Sequence, residues 1–333
     1  MAFDLSRPDL VAAVFGTGTM GRGIAQLCAQ AGLATLLFDS NSGAVKQAIA
    51  AIDKGLEGLV SKGRMTAETK KDVLARLQPI STYDECAQAG IVIEAIVEDI
   101  SAKRSLFREI EQRVAADAVL ATNTSSLSVT EVAAGCAQPR RVAGLHFFNP
   151  PPLMKLVEVI GGLRTEPKVV ESLVEFARRI GKHPIVAADS PGFVVNHAGR
   201  AYGPEALRIV AQGIANPQEV DALMKEAAGF RMGPFELLDL VGGDVTHAVM
   251  VSIFEQFFDE PMYQPSTQMA VRVAGGLLGR KSKRGFYSYE GMPAKDKPTV
   301  PVPPGTKPAA AWVASARSCS SQAQASSLTA SSP

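Results

Sequence analysis

The chain has 333 residues, 46% of them apolar, with 34 basic against 33 acidic side chains and a formal net charge of +1. That length suits two domains with ordinary cores. A charge so close to zero excludes a global field that would gather nucleic acid or an anionic membrane, so attraction for any anionic ligand must be local. The opening MAFDLSRPDL lacks the basic and apolar pair of a secretory signal, and no window reaches the ~20 apolar residues of a membrane span, so a soluble cytoplasmic protein is the expectation. Cys28, Cys86, Cys136 and Cys319 are scattered without C-x-x-C or Cys/His spacing, which argues against disulfides, zinc and a thiol nucleophile. His183, His197 and His247 are isolated, and no His/Cys/Asp group has metal spacing.

The first element is the apolar run Leu10 to Phe15, continuous as in a buried parallel strand, and it passes directly into Gly16-Thr-Gly18-Thr19-Met20-Gly21. This is G-x-G-x-x-G in strand-to-helix context: Gly16 for a tight turn, Gly18 for close approach of a pyrophosphate, Gly21 for close packing of helix on strand. The helix N-terminus offers unpaired N–H groups to phosphates. Cys28, on the apolar side of that helix, is packing. A second strand, Leu33 to Phe38, ends in Asp39, where an acidic residue binds the adenosine ribose and disfavours a 2′-phosphate; the cofactor implied is NAD rather than NADP. Without the glycines, Asp39 would read as a strand-end turn residue.

Residues 42 to 77 follow as a helical stretch interrupted at Ser61-Lys-Gly-Arg, too long for a simple crossover. They are expected to form a helical hairpin projecting from the sheet, with Lys54, Lys62 and Arg64 available to phosphates of a ligand or simply forming a solvated basic face. Further strands are expected at 90–94, 118–122 and 142–146, a helix at about 166–181, and another apolar run at Pro184-Ile-Val-Ala. Alternating strands and helices predict an α/β fold, a Rossmann-type doubly wound sheet over residues 1–189.

Inside this part lies Gly144-Leu-His146-Phe-Phe-Asn149-Pro150, followed by Met154-Lys-Leu-Val-Glu158-Val-Ile. A carboxylate flanked by Leu156, Val157, Val159 and Ile160 is costly to bury alone and needs a partner, for which His146 is the candidate. A histidine held by a carboxylate has a fixed tautomer, as a general base acting on an alcohol requires. The segment by itself leaves open a satisfied core histidine beside an unrelated edge-strand Glu.

From Ser190 onward the pattern is helical, predicting a smaller all-α domain over 190–290. Ser190-Pro191 reads as N-cap and N1, and Asn216-Pro217-Gln-Glu219 as a capping box. Helical patterns continue over 220–228, 235–240 and 245–258. Prolines at 301–308 and a Ser/Ala-rich end make 291–333 an expected disordered tail, with Trp312 as a possible isolated anchor.

GTGTMGRGIA, IEAIVED with the following Lys103, NTSSL, GLHFFNPPPLMKLVEV, DSPGFVVN, MGPFELLDLVG and GRKSKRGFYSY together resemble the 3-hydroxyacyl-CoA dehydrogenase family over about residues 9–290. The resemblance implies NAD-dependent interconversion of a 3-hydroxyacyl-CoA and a 3-ketoacyl-CoA, an acyl-CoA as the partner molecule, and a homodimer formed through the C-terminal domain. It is similar to bacterial members acting on 3-hydroxybutyryl-CoA or 3-hydroxyadipyl-CoA. By the same resemblance His146 is general base and acid, oriented by Glu158, and Ser125 and Asn196 hydrogen-bond the reacting oxygen. The ordinary alternatives are a helix cap for Ser125 and a helix-surface amide for Asn196. Glu98, Lys103 and Asn149 are implied NAD contacts, although Glu98-Asp99 could simply charge a helix N-terminus. Lys281 is implied near the cofactor, but the family's glycine after Ser282 is here Lys283, which puts the geometry of that loop in question. A 3-hydroxyisobutyrate-type dehydrogenase shares the G-x-G-x-M-G start but uses a lysine acid and base. A crystallin-like protein on the same scaffold would have no need of Ser125, His146, Glu158 and Asn196 together.

Overall fold

Apolar runs with no polar alternation cannot face water on either side, so they go to the middle of a sheet covered on both faces. The computed structural model describes residues 3–41 and 43–291, in two compact units, the first ending at His197 and the second beginning at Ala198.

In the first unit the chain runs β1 (Val11–Phe15), α1 (Thr19–Gln30), β2 (Ala34–Phe38), α2 (Ala44–Val60), α3 (Ala67–Ala75), β3 (Leu77–Pro79), β4 (Ile91–Glu94), α4 (Ile100–Glu111), β5 (Val119–Thr122), α5 (Val129–Ala133), β6 (Val142–Phe147), β7 (Leu156–Gly161), α6 (Pro167–Arg179) and β8 (His183–Ala188). The strands form one sheet in the order β3-β2-β1-β4-β5-β6-β7-β8. Strands β3 to β6 pair in parallel, β7 is antiparallel to β6, and β8 is parallel to β7. The strand order reverses between β1 and β4, whose carboxyl ends therefore flank the crevice where ligands bind in open α/β sheets.

Alternation along each strand divides the core between the two faces. Ala12 and Val14 join Ile24, Ala25 and Cys28 of α1 on one side, while Ala13 and Phe15 join Leu106, Phe107 and Ile110 of α4 on the other. Each such fully buried Val, Leu, Ile or Phe stabilises the fold by about 1.5–3 kcal/mol.

The chain passes out of the first unit within α7 (Val195–Ala211). The second unit continues with α8 (Pro217–Glu226), α9 (Pro234–Val241), α10 (Gly243–Gln256) and α11 (Thr267–Ala274) around Leu207, Phe235, Leu238, Met250 and Met269. Two buried carboxylates lace it together. Asp221 accepts from the Phe235 and Glu236 amides and the Tyr287 hydroxyl, and Asp239 from the Phe286 and Tyr287 amides and the Tyr289 hydroxyl. The expected capping box forms, Asn216 accepting from the Glu219 amide at 2.9 Å and Glu219 from the Asn216 amide at 2.9 Å. Among the described residues no single helix is long and apolar enough to cross a membrane.

Three expectations need correction. The hairpin over 42–77 does not simply project: Val45, Ile52, Leu56 and Val73 are buried in the main core, and Leu77 begins β3, which extends the sheet beside β2. The helix expected from Ser190 begins at Val195, because Gly192 (φ +79°) and Phe193 (φ +50°) take left-handed conformations that no helix accommodates. The helix expected over 245–258 stops at Gln256, Phe258 being left-handed at φ +53°. The expected tail, with Trp312 and Cys319, lies outside the described residues from 292 onward.

Candidate functional site

At the carboxyl end of β1, Gly16 turns at φ +89°, and a Cβ there would sit 2.5 Å from the Ala95 carbonyl oxygen. A Cβ at Gly21 would overlap the Gly16 carbonyl, so glycine is what lets α1 close onto the strand. A Cβ at Gly18 would meet nothing within 4 Å, leaving an open approach to the start of α1. That helix has neither a side-chain cap nor an acidic residue in its first turn, so its leading N–H groups remain for an anion.

Asp39 follows β2 beside this turn. Its Oδ2 accepts from the Thr17 amide at 2.7 Å and the Thr17 hydroxyl at 2.9 Å, and its Oδ1 from the Asn41 amide at 3.0 Å. Burial alone would raise its carboxyl, but these donors outweigh burial and hold it below the ordinary carboxylate value. An ionised Asp39 next to an uncapped helix start fits a dinucleotide, with the carboxylate for the ribose hydroxyls and the glycine turn for the pyrophosphate.

The switch-point crevice contains a cavity of about 310 Å³ lined by Met20, Ala95, Ile96, Glu98, Lys103, Asn123, Ser125, His146, Phe147, Phe148, Asn149 and Asn196. Eight of the residues singled out in the sequence therefore bear on one place: seven line this cavity, and Glu158 stands behind His146. In the antiparallel register of β6 and β7, His146 faces Glu158, with Nδ1 and Oε2 2.6 Å apart. His146 is 5% exposed and Glu158 fully buried. The second oxygen of Glu158 accepts from the Val194 and Val195 amides at 3.0 and 2.8 Å, so this carboxylate also caps α7. Burial works against its ionisation, yet the His146 contact and the two amides pull its pKa below the ordinary Glu value. An ionised Glu158 can only accept, so Nδ1 of a neutral His146 donates and Nε2 carries the lone pair. Phe148 and Phe193 pack against the imidazole at ring distances of 4.5 and 5.7 Å.

Asn196 lies in the first turn of α7 and donates from Nδ2 to the Ser125 carbonyl at 3.4 Å. Ser125 is not a helix cap: Ser128 caps α5. Of the pair Glu98-Asp99, Asp99 does cap a helix start, accepting from the Ala102 amide at 2.8 Å at the N-terminus of α4. Glu98 instead accepts from the Thr124 hydroxyl and the Ser125 and Ser126 amides, and contacts Lys103 at 3.1 Å. Burial opposes its ionisation, but Lys103 and these hydrogen bonds lower its pKa overall.

The remaining lysines are placed elsewhere. Lys54 and Lys62 are exposed on α2 and the turn after it, and neither lines the cavity; Arg64 is exposed in the same turn. Lys281 pairs with Asp244 within the second unit, and Lys283 takes φ +60°, the conformation that a glycine would hold without strain.

Sequence reasoning passed over Asn123, Glu94, Thr122 and Asp189. The Asn123 side-chain oxygen accepts from the Phe147 amide at 2.8 Å and steadies the end of β6. Asp189 gathers the Ser128 hydroxyl and the Val129 and Thr130 amides, tying β8 to α5. Glu94 carried the signal that revealed Glu158, a carboxylate ending an apolar strand.

Residues 11–190 match the 3-hydroxyacyl-CoA dehydrogenase NAD binding domain, and residues 192–289 match the C-terminal domain of the same enzymes. The chain is 44% identical to 3-hydroxyadipyl-CoA dehydrogenase of Escherichia coli K12 over 83% of its own length, but spans only 58% of that longer relative. It is 41% identical to 3-hydroxybutyryl-CoA dehydrogenase of Clostridioides difficile, over 83% of this chain and 98% of that one. The crystal structure of (S)-3-hydroxybutyryl-CoA dehydrogenase from Ralstonia eutropha superposes with a TM-score of 0.81 at 38% identity, covering 84% of this chain and 98% of that one.

Proposed function

The chain belongs to the 3-hydroxyacyl-CoA dehydrogenase family, and on that premise we propose that it interconverts (S)-3-hydroxyacyl-CoA and 3-ketoacyl-CoA with NAD. The observation that carries the reading is the buried 2.6 Å contact between His146 and Glu158 at the wall of the switch-point cavity. When bound, NAD supplies the acceptor for the hydride leaving C3. The chain's own task is the proton. Nε2 of His146 takes it from the 3-hydroxyl during oxidation and returns it to the ketone oxygen during reduction. Glu158 holds the ring in the required tautomer and stabilises the imidazolium that forms. Ser125 and Asn196 orient the reacting oxygen, whose charge changes during the transfer. The glycine turn and Asp39 bind the dinucleotide, and Glu98, Lys103 and Asn149 line its nicotinamide end. Lys54 and Lys62 offer charge to the CoA phosphates, and Lys281 has no assigned part beyond its pair with Asp244.

A short acyl chain is the proposed substrate class, supported by the relatives, a 3-hydroxybutyryl-CoA dehydrogenase and a 3-hydroxyadipyl-CoA dehydrogenase. NADH oxidation driven by 3-ketoacyl-CoA, measured over several chain lengths, tests both the reaction and the class. No turnover with any chain length refutes the reading.

A cytoplasmic homodimer through the second unit completes the proposal. Leu223, Phe230, Leu240, Val241 and Phe258 are large apolar side chains left exposed there, a distribution that favours burial against another surface. Sedimentation of the protein and of Phe258→Glu tests the dimer, and a monomeric wild type refutes it.

A further inference from the structure

We propose that Glu94 is a positioning residue for the cavity: through Lys103 and Glu98 it fixes the turn Thr124–Ser126, and with it Ser125. Glu94 ends β4 and is fully buried, directly opposite Thr122 in the pairing of β4 with β5. One carboxylate oxygen accepts from Lys103 Nζ at 2.6 Å and the Ile96 amide at 2.8 Å, and the other from the Thr122 hydroxyl at 2.7 Å. Lys103, on α4 and 1% exposed, reaches on to Glu98 at 3.1 Å. A single oxygen of Glu98 then collects the Thr124 hydroxyl at 2.6 Å, the Ser125 amide at 2.9 Å, the Ser126 amide at 3.1 Å and the Ser126 hydroxyl at 2.9 Å. The chain of contacts runs without a gap from the end of the sheet to the turn that carries Ser125.

Stability alone gives a poor account of this arrangement. Two carboxylates share one ammonium; Glu94 and Lys103 are shielded from water while Glu98 reaches the cavity surface, and a buried ion pair such as Glu94–Lys103 is commonly matched or exceeded in stability by apolar residues of the same shape. What an apolar set could not supply is a fixed acceptor for the amides of Ser125 and Ser126. Free backbone donors at that turn would swing with solvent, and Ser125 faces the cavity shared with His146. A network in which every member is satisfied holds its parts rigidly. Glu94 is its buried root, since it touches the frame of the sheet on one side and the only ammonium of the network on the other.

The proposal rests on the dehydrogenase reading, and two readouts keep the two separable. Hydrogen exchange of a peptide spanning residues 121–127 in the full chain without cofactor reports the Ser125 and Ser126 amides independently of catalysis. Steady-state kinetics with a 3-ketoacyl-CoA and NADH reports turnover. In Glu94→Gln, exchange at those amides should accelerate by roughly tenfold or more, because Lys103 and Glu98 lose their anchor. Turnover should fall by about 10²-fold while KM for the acyl-CoA stays within about threefold. In Glu94→Gln/Lys103→Met the loss should be no greater than in the worse single variant, because both side chains act along one path. Unchanged exchange in a folded Glu94→Gln overturns the proposal, and so do additive losses in the double variant. Should Glu94→Gln fail to fold, the double variant, which removes both charges, is judged by the same exchange criterion. If the wild type reduces no 3-ketoacyl-CoA, the dehydrogenase reading falls while exchange still decides whether Glu94 holds the turn.

Discussion

His146 and Glu158 stand directly opposite each other in the antiparallel pair of β6 and β7, so the histidine's partner is set by strand register and not by a flexible loop. The same carboxylate caps α7, which carries Asn196. One buried group thereby orients the base and holds the start of the helix that carries Asn196. His146→Gln should lower turnover by roughly 10² to 10⁴, the contribution of a positioned acid or base. NADH binding, followed by fluorescence titration, should stay near wild type because the glycine turn and Asp39 are untouched. Equal losses of turnover and NADH binding would make His146 a structural residue.

The depressed pKa of Glu158 has a consequence for stability with a definite sign. Its stabilising contribution is fully present above the unfolded-chain value, about 4.3 for Glu, and is lost as pH falls through the lower folded value. Urea unfolding of the wild type and of Glu158→Gln should therefore differ above about pH 5, and the difference should shrink as pH falls below that. A difference that does not shrink once the pH is well below the ordinary Glu value would contradict the assignment.

Asp39→Ser removes the acceptor proposed for the ribose hydroxyls and the negative charge that would repel a 2′-phosphate. NADH should bind more weakly by about 1.5–3 kcal/mol, the worth of a hydrogen bond to a charged group, and NADPH should lose less or gain. Equal weakening of both cofactors would show that Asp39 acts only through the amides of Thr17 and Asn41.

Lys283 occupies a left-handed conformation on an exposed turn. That conformation costs a non-glycine residue about 1–2 kcal/mol, and glycine returns about 0.4–1 kcal/mol of this through its freer unfolded chain. Lys283→Gly should accordingly raise the melting temperature slightly. A fall would mean that the lysine side chain makes a stabilising contact that outweighs the strain.

Burial pushes the thiols of Cys28 and Cys136 up to about 12 and that of Cys86 up to about 11. At pH 8 these three should resist alkylation in the native protein and react on unfolding, since the thiolate is the nucleophile. Peptide mass spectrometry after iodoacetamide treatment reads this directly.

The sequence by itself determined the features that are local. The step from an apolar strand into Gly16, Gly18 and Gly21, the acid after β2 and the alternation that sends Val14 to one face and Phe15 to the other all follow from backbone geometry and a period of two. Glu158 announced itself because a carboxylate among Val157, Val159 and Ile160 demands a partner. What only the tertiary structure decided is which groups meet. The antiparallel turn of β7 against β6 put His146 opposite Glu158, and a one-residue slip in that register would have sent the carboxylate to the other face. The start of α7 at Val195 was hidden because its cap, Glu158, lies on a distant strand and Ser190 offered a local substitute. Glu98 gave no local sign of its task either. Its donors, Thr124 to Ser126, are remote in sequence and come within reach because β4 pairs with β5, Glu94 opposite Thr122. Local chemistry can say that a buried charge must be satisfied, but its partner is chosen by the packing of elements far apart along the chain.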